Sequence, residues 1–387
     1  MKDTFEDIRA YRTGGLDVIT DFLLVFPFLQ ILAWRTTDSL RLDYLGDRKR
    51  IEEDIRHGAF FMTNHRDIVM DAAWLSYKLR TRYFIRPFMG VGDNLFAKPW
   101  IEHLMRYLRC FAVKRGAGAH AQLKNAKHLS AYIRHLRAKG KSIWLAQREG
   151  RAKDSNDLTQ TSVLHMLTID ATDIYEAIKE LNICPVSITY EYDPCDYLKA
   201  REMQLKRDNP RWRKTKRDDV ESMQTGINGQ KGRVVYRLTP SINPEIDAML
   251  AAHPEYRELP VNDQLQHVCD IIDRHIHAGY EIYERGTKFD AYIDSRLALI
   301  DIPGKDEDFL KEKSFDFVQP DAIQYSEKGA NQFMIGCYNE VIALFNSNTF
   351  PMTWIYDEDY LTGPSWAFGY LGAGNYLNDG YIPNYWS

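Results

Sequence analysis

Six short apolar runs punctuate the chain between residues 59 and 238, and they constrain the fold more than any other feature. They are residues 59–62 (AFFM), 81–88 (TRYFIRPF), 110–115 (CFAVKR), 142–147 (SIWLAQ), 184–192 (CPVSITYEY) and 232–238 (GRVVYRL). Runs of this length, rich in β-branched and aromatic residues, read as strands. Helical stretches separate them. One opens near Asp67 in DIVMDAAWLSYKL, and another covers residues 120–139 and stops at Gly140, the residue type that most easily closes a helix. Strands separated by helices predict an α/β layer fold. The first 45 residues read as helical, and the chain carries no internal repeat and no linker rich in Gly, Ser or Pro.

With 387 residues the chain can bury a sizeable core, as one large domain with appendages or as two domains. Fifty Lys and Arg against 54 Asp and Glu leave a net charge of −4, which excludes a general nucleic-acid-binding charge. Five cysteines, at 110, 184, 195, 269 and 337, are odd in number and show no CxxC spacing. A disulfide framework and a four-Cys zinc site are therefore excluded, and a reducing compartment is expected. The N-terminal MKDTFEDIRAYR is no signal peptide. The longest apolar stretch, residues 22–34 (FLLVFPFLQILAW), is shorter than the roughly 20 residues a membrane span needs. It reads as a core helix or as a helix lying on a membrane surface.

Two segments stand out by composition. Residues 199–217 carry nine basic and two acidic side chains, either a solvated face or a contact for anionic lipid headgroups with Trp212 as a wedge. Residues 346–387 hold eleven aromatics, four acids and no Lys or Arg, and suggest no chemistry.

The strongest candidate for chemistry is TNHRDIVMD, residues 63–71. A neutral imidazole is a good general base near pH 7, and a carboxylate on its second nitrogen fixes the tautomer. His65 has two such partners in sequence, Asp67 and Asp71. On an unbroken helix Asp71 would lie about 120° round the axis from His65, so the pair requires His65 in a loop and Asp71 in the first turns that follow. Asp67 is also placed to cap that helix. QREGRAKD, residues 147–154, follows a strand, where open α/β sheets bind ligands. Arg148, Arg151 and Lys153 can hold a phosphate there, with Glu149 orienting one of them. Lys114 and Arg115 end another strand beside Gly116 and Gly118, again a phosphate-binding arrangement. The residues alone leave open a hydrogen-bonded core histidine and a solvent-facing, ion-paired turn.

Taken together and in this order, these blocks resemble the glycerophospholipid acyltransferase superfamily, which includes lysophosphatidate and glycerol-3-phosphate acyltransferases, in a bacterial soluble-type branch. The resemblance covers residues 55–240 and rests on Asn64-His65 with HRDIVMD, on CFAVKR ending at Arg115, on Glu149-Gly150-Arg151, and on the Pro185-Val186 strand. GDNLFAKPWIEHL, residues 92–104, is similar to the family's stretch between its first two blocks. The His–Asp spacing is one residue longer than the family's, which leaves Asp67 a rival to Asp71. The Arg after Glu-Gly comes one residue early, which leaves Lys153 a rival to Arg151, and Arg148 stands where the family has Pro.

The resemblance implies a mixed central sheet flanked by helices, with helical additions at both ends. It divides the chain into an N-terminal helical segment (1–45), an acyltransferase core (46–245), a mostly helical extension (246–345) and the aromatic tail (346–387). It implies direct acyl transfer from acyl-CoA or acyl carrier protein to a glycerol-phosphate hydroxyl, with 1-acyl-sn-glycerol-3-phosphate, giving phosphatidate, as the leading acceptor. His65 acts as base and Asp71 holds it, while Arg115, Glu149, Gly150 and Arg151 position the acceptor. No metal, no other cofactor and no covalent enzyme intermediate are implied, and no HExxH pair lies near His65. The expected location is cytoplasmic or peripheral on the inner face of the membrane, with residues 199–217 towards anionic lipid. A lipid-binding or partner-binding protein without turnover is the alternative on the same fold. A kinase catalytic loop is excluded because Ala72 stands where it needs Asn. A serine hydrolase would need Ser76 or Ser130 in a GxSxG elbow, and neither has one.

Overall fold

The computed structural model describes residues 5, 8–10, 19–96, 99–114, 118–152, 158–195, 198–199, 202, 211–281, 345–346 and 349–350. A π-helical turn, Asp21–Val25, leads into helix α1 (Phe26–Thr36). Strand β1 (Ser39–Tyr44), helix α2 (Arg48–Arg56), β2 (Phe60–Thr63) and α3 (Met70–Tyr83) follow. Next come β3 (Phe88–Gly92), α4 (Pro99–Tyr107), β4 (Cys110–Val113), α5 (Ala119–Arg137) and β5 (Ile143–Ala146). Helices α6 (Thr161–Leu167) and α7 (Ile174–Leu181) precede β6 (Ile183–Tyr190), which is followed by α8 (Lys216–Asn228) and β7 (Arg233–Leu238). Helices α9 (Asn243–Ala252) and α10 (Val261–Ala278) close the body, and a two-stranded pair, β8 (Phe345–Asn346) with β9 (Thr349–Phe350), lies further along the chain.

The seven-stranded sheet has the order β1-β7-β6-β2-β5-β3-β4 and is parallel except between β6 and β7. This is the expected α/β fold with a mixed central sheet. Its middle strands β2, β5 and β6 are buried at every residue, which explains their unbroken apolar character, since both faces are covered by helices. Alternate side chains serve opposite faces. Phe60 and Met62 pack with Leu129 of α5, Leu164 of α6, Ile178 of α7 and Ile272 of α10. Phe61 packs on the other face with Leu29 of α1, Ile51 of α2 and Trp74 of α3. At the edge strand β4 the Ala112 amide donates to the Ile8 carbonyl, which covers one of its ladder groups.

Three expectations need correction or refinement. The helical reading of the first 45 residues stops at Thr36, because residues 39–44 form β1 against β7, with Ser39 opposite Arg233. The strand expected over 81–88 begins only at Phe88. Residues 81–83 finish α3, and Phe84 turns left-handed at φ 58° while its carbonyl accepts from Arg80 Nη1. The apolar stretch 22–34 buries one side in the core and exposes the other. Leu29, Leu32 and Ala33 are buried, whereas Leu23, Leu24, Phe28 and Trp34 are 69%, 67%, 61% and 78% exposed. Residue 245 lies inside α9, whose Ile246 and Leu250 share one core with Val268 and Ile272 of α10. Among the described residues no helix is long and apolar enough to cross a membrane.

Helices α9 and α10 are tied by Glu245, which accepts from His275 Nε2 at 2.9 Å and Arg274 Nη2 at 2.8 Å. Those bonds hold its carboxyl at about 2, against 4.5 ordinarily. A carboxyl depressed on folding adds stability above its unfolded pKa and loses it as pH falls through the folded one. Wild type should therefore lose urea resistance steeply between about pH 4.5 and 2, and Glu245→Gln should flatten that fall. Urea midpoints for both proteins across pH 2–7 test this, and parallel curves would refute it.

Candidate active site

The C-terminal ends of β2, β5 and β6 lie side by side, so the loops leaving them meet. After β2, Asn64 continues the ladder with its side chain. Its Nδ2 donates to the Ile188 carbonyl at 3.0 Å, and its Oδ1 accepts from the Ile188 amide at 2.8 Å. That pairing aims the next residue, His65, into a cleft of about 850 Å³.

His65 Nδ1 lies 2.9 Å from Asp71 Oδ2. The same oxygen accepts from the Arg66 and Asp67 amides at 2.7 and 2.9 Å, while Asp71 Oδ1 accepts from the Tyr190 hydroxyl at 3.0 Å. Asp71 is in the first turn of α3 and fully buried, so the six-residue offset is bridged by a loop wrapped round the carboxylate. With Nδ1 engaged by Asp71, Nε2 is the nitrogen left to accept a proton. Asp67 does different work: its Oδ1 accepts from the Val69 and Met70 amides at 2.8 Å each, capping the start of α3. Burial, then the neighbouring Asp71, pushes the Asp67 carboxyl up. The structure thus separates the two carboxylates, one on the imidazole and one on the helix.

The turn after β5 is fastened beside His65. The Gln147 amide donates to the Thr63 carbonyl at 2.8 Å, and the Ala152 amide donates to the His65 carbonyl at 3.1 Å. Gly150 sits at φ +78°, a conformation that other residues adopt only with strain. Arg148, Glu149, Gly150 and Arg151 all line the cleft, with Lys114 on its far side. Arg151 is only 7% exposed, and among the described residues its Nη1 has no hydrogen-bond partner. Val113, Leu129, Val163 and Met166 add an apolar wall. Arg115 and Lys153 lie outside the described residues. Among the described residues no group of His, Cys, Asp and Glu could hold a metal ion.

Several contributors had no signal in sequence. Tyr190 supports Asp71, and the Tyr236 hydroxyl donates to the Met70 and Asp71 carbonyls at 3.1 and 3.2 Å. Trp144 stands edge-on to His65 with centroids 6.4 Å apart. Lys231 is buried, donates to the Gly229 carbonyl at 2.7 Å and lies 5.3 Å over the Trp74 ring. Burial pushes its ammonium down to about 8, and Asp67 partly offsets this. Part of the basic run 199–217 also faces inward. Lys199 is buried, pairs with Asp193 and donates to the Arg66 carbonyl. Lys214 pairs with Asp219, and both line the cleft. Arg211, Arg213, Lys216 and Arg217 are exposed, and the other basic residues of the run lie outside the described residues.

Residues 46–189 match the family model Acyltransferase. No curated protein matches the chain. The matched region includes His65, Asp71 and the Glu149–Gly150–Arg151 turn, and it supports acyl transfer as the general reaction.

Helix α8 packs so closely over Asp67 that a Cβ on Gly226 would fall well inside van der Waals distance of the carboxylate. Gly→Ala inside a helix ordinarily gains about 0.5–1 kcal/mol. Gly226→Ala should instead cost roughly 1–3 kcal/mol by overpacking against the cap. Urea unfolding of the variant decides the sign, and a stabilised protein would contradict the packing described.

Proposed function

We propose that the chain transfers a fatty acyl group from acyl-CoA or acyl carrier protein to a hydroxyl of a glycerol-phosphate acceptor, with 1-acyl-sn-glycerol-3-phosphate as the leading acceptor. The observation that carries this reading is the His65–Asp71 pair, its imidazole lining a cleft whose other walls are cationic on one side and apolar on another. A phosphate suits the guanidinium of Arg151, with Arg148 and Lys114 nearby, and a fatty chain suits the apolar wall.

His65 Nε2 takes the acceptor hydroxyl proton as the oxygen attacks the thioester carbonyl. The oxygen–carbon bond forms, the carbon–sulfur bond breaks, and the imidazolium returns its proton to the leaving thiolate. Asp71 keeps Nδ1–H pointed inward and stabilises the imidazolium. The site then holds the ester and a free thiol, with no bond to the enzyme at any stage.

An amphipathic acceptor is met most readily at a lipid surface, and α1 has a face that suits one. The apolar side chains Phe28, Ile31 and Trp34 of α1, with Leu23 and Leu24 of the turn before it, are exposed. The carboxylate of the preceding turn, Asp21, is instead buried against Arg80 and Arg86. Such a face adsorbs to a bilayer through its apolar side chains, with a tryptophan at the headgroup level. Exposed Arg211, Arg213, Lys216 and Arg217 add attraction to anionic lipid.

Thiol release from a long-chain acyl-CoA or acyl carrier protein, with glycerol-3-phosphate, lysophosphatidate or no acceptor, tests the chemistry. Release should depend on the acceptor and fall about 10²–10⁴-fold in His65→Ala. Silence with both donors and every acceptor would overturn the reading in favour of lipid binding without turnover. Separately, sedimentation with vesicles containing anionic lipid should recover wild type and lose the double variant Phe28→Glu, Trp34→Glu. Equal recovery of both would remove α1 from the membrane contact.

A further inference from the structure

The Glu149–Gly150–Arg151 turn follows Gln147 at the end of β5, and residues 158–160 lead into α6. These two stretches are joined, because the Gln160 amide donates to the Gln147 carbonyl at 3.0 Å. The Gln160 side chain then reaches back to the turn, its Oε1 accepting from the Glu149 amide at 2.7 Å. Next to it, Thr159 donates twice to a single oxygen of Asp273, from its amide at 2.8 Å and its hydroxyl at 2.5 Å. Asp273 is 3% exposed and Thr159 6%.

A carboxylate buried this deeply is tolerated only where donors satisfy it, and bonds to a charged acceptor are about twice as strong as neutral ones. Two donors from one residue fix both the backbone and the rotamer of Thr159. Asp273 itself cannot follow a drifting loop, because its neighbours Ile271, Ile272 and Ile276 on α10 belong to the core. The rigid helix therefore sets where Thr159 and Gln160 stand, and Gln160 sets the Glu149 amide. Helix α10 lies well beyond residue 189, where the family match ends.

We propose that Asp273 is a positioning residue for acceptor recognition, holding the Glu149–Gly150–Arg151 turn in register with His65 through Thr159 and Gln160. This rests on the acyl-acceptor reading of that turn given above. Asp273 touches no reactant and acts through the loop alone. A helix outside the matched region thereby becomes part of the specificity of the site.

The test compares full-length wild type with Asp273→Ala, Asp273→Asn, Gln160→Ala and Glu245→Ala. Glu245 ties α10 to α9 without touching the loop, so its variant loosens the same helix and serves as the structural control. Losing hydrogen bonds to a charged group should raise the acceptor KM roughly 10-fold or more in Asp273→Ala. The donor KM should stay within about two-fold, because the lost bonds reach only the acceptor turn. Asp273→Asn keeps an oxygen facing Thr159 and should restore most of the loss, and Gln160→Ala should mimic Asp273→Ala. Glu245→Ala should lose stability and leave the acceptor KM alone. Equal rises in both KM values, no rescue by Asn, or the same acceptor effect in Glu245→Ala would overturn the proposal.

Amide hydrogen exchange without substrate, read at residues 147–152 and 158–160, provides an arm independent of activity. Exchange at Glu149 and Thr159 should accelerate in Asp273→Ala and stay near wild type in Asp273→Asn. Unchanged exchange would overturn the positioning role whether or not the protein transfers acyl groups. If wild type shows no acceptor-dependent turnover, it is the acyl-transfer reading that has failed, and exchange alone decides whether Asp273 holds the turn.

Discussion

The carboxylate of Asp71 is the anion around which the site is assembled. It is fully buried and receives the His65 imidazole, two consecutive loop amides and the Tyr190 hydroxyl. A buried charge with too few donors destabilises a fold, so the loop from Asn64 to Met70 has little freedom to adopt another path. One arrangement thus answers two demands. It satisfies the anion, and it leaves the imidazole in a single orientation at the cleft wall.

The sheet provides the frame for this. Strands β2, β5 and β6 are adjacent and parallel, so their C-terminal loops converge, and each brings a different element to the cleft. From β2 comes the imidazole, from β5 the turn with its glycine and two arginines, and from β6 the tyrosine that steadies Asp71. Rigid helices from later in the chain press on those loops, α8 on the Asp67 cap and α10 on the base of the β5 loop. Preorganisation here is shared between the region matched to acyltransferases and the helices that follow it.

The sequence signalled most clearly what depends on local pattern. Buried strands showed as continuous apolar runs, and the β5 turn showed as charge and glycine closing a strand. His65 and its two carboxylates were visible, but which of them met the imidazole was not. That choice depends on how the loop closes, and the extra residue between His65 and Asp71 is absorbed by amides turning inward. Strand β1 was missed because SLRLDY is short and half polar, and its partner lies far along the chain. Tyr190 and Asp273 were missed for a related reason. Each is an unremarked member of its own element and acquires its part only from a contact more than a hundred positions away.

Strand β1 pairs with β7 alone, Ser39 lying opposite Arg233. During synthesis at about 5–20 residues per second, β1 leaves the ribosome roughly 10–40 s before its partner is made. Through that interval the strand has an open edge. The five strands β2 to β6 are complete earlier and can assemble without it. Strands β2 to β6, which carry the cleft, can therefore pair first, and β1 remains an arm without its sheet partner until β7 arrives. That arm is the part of the molecule for which a chaperone, or an early lipid surface, has the most to cover.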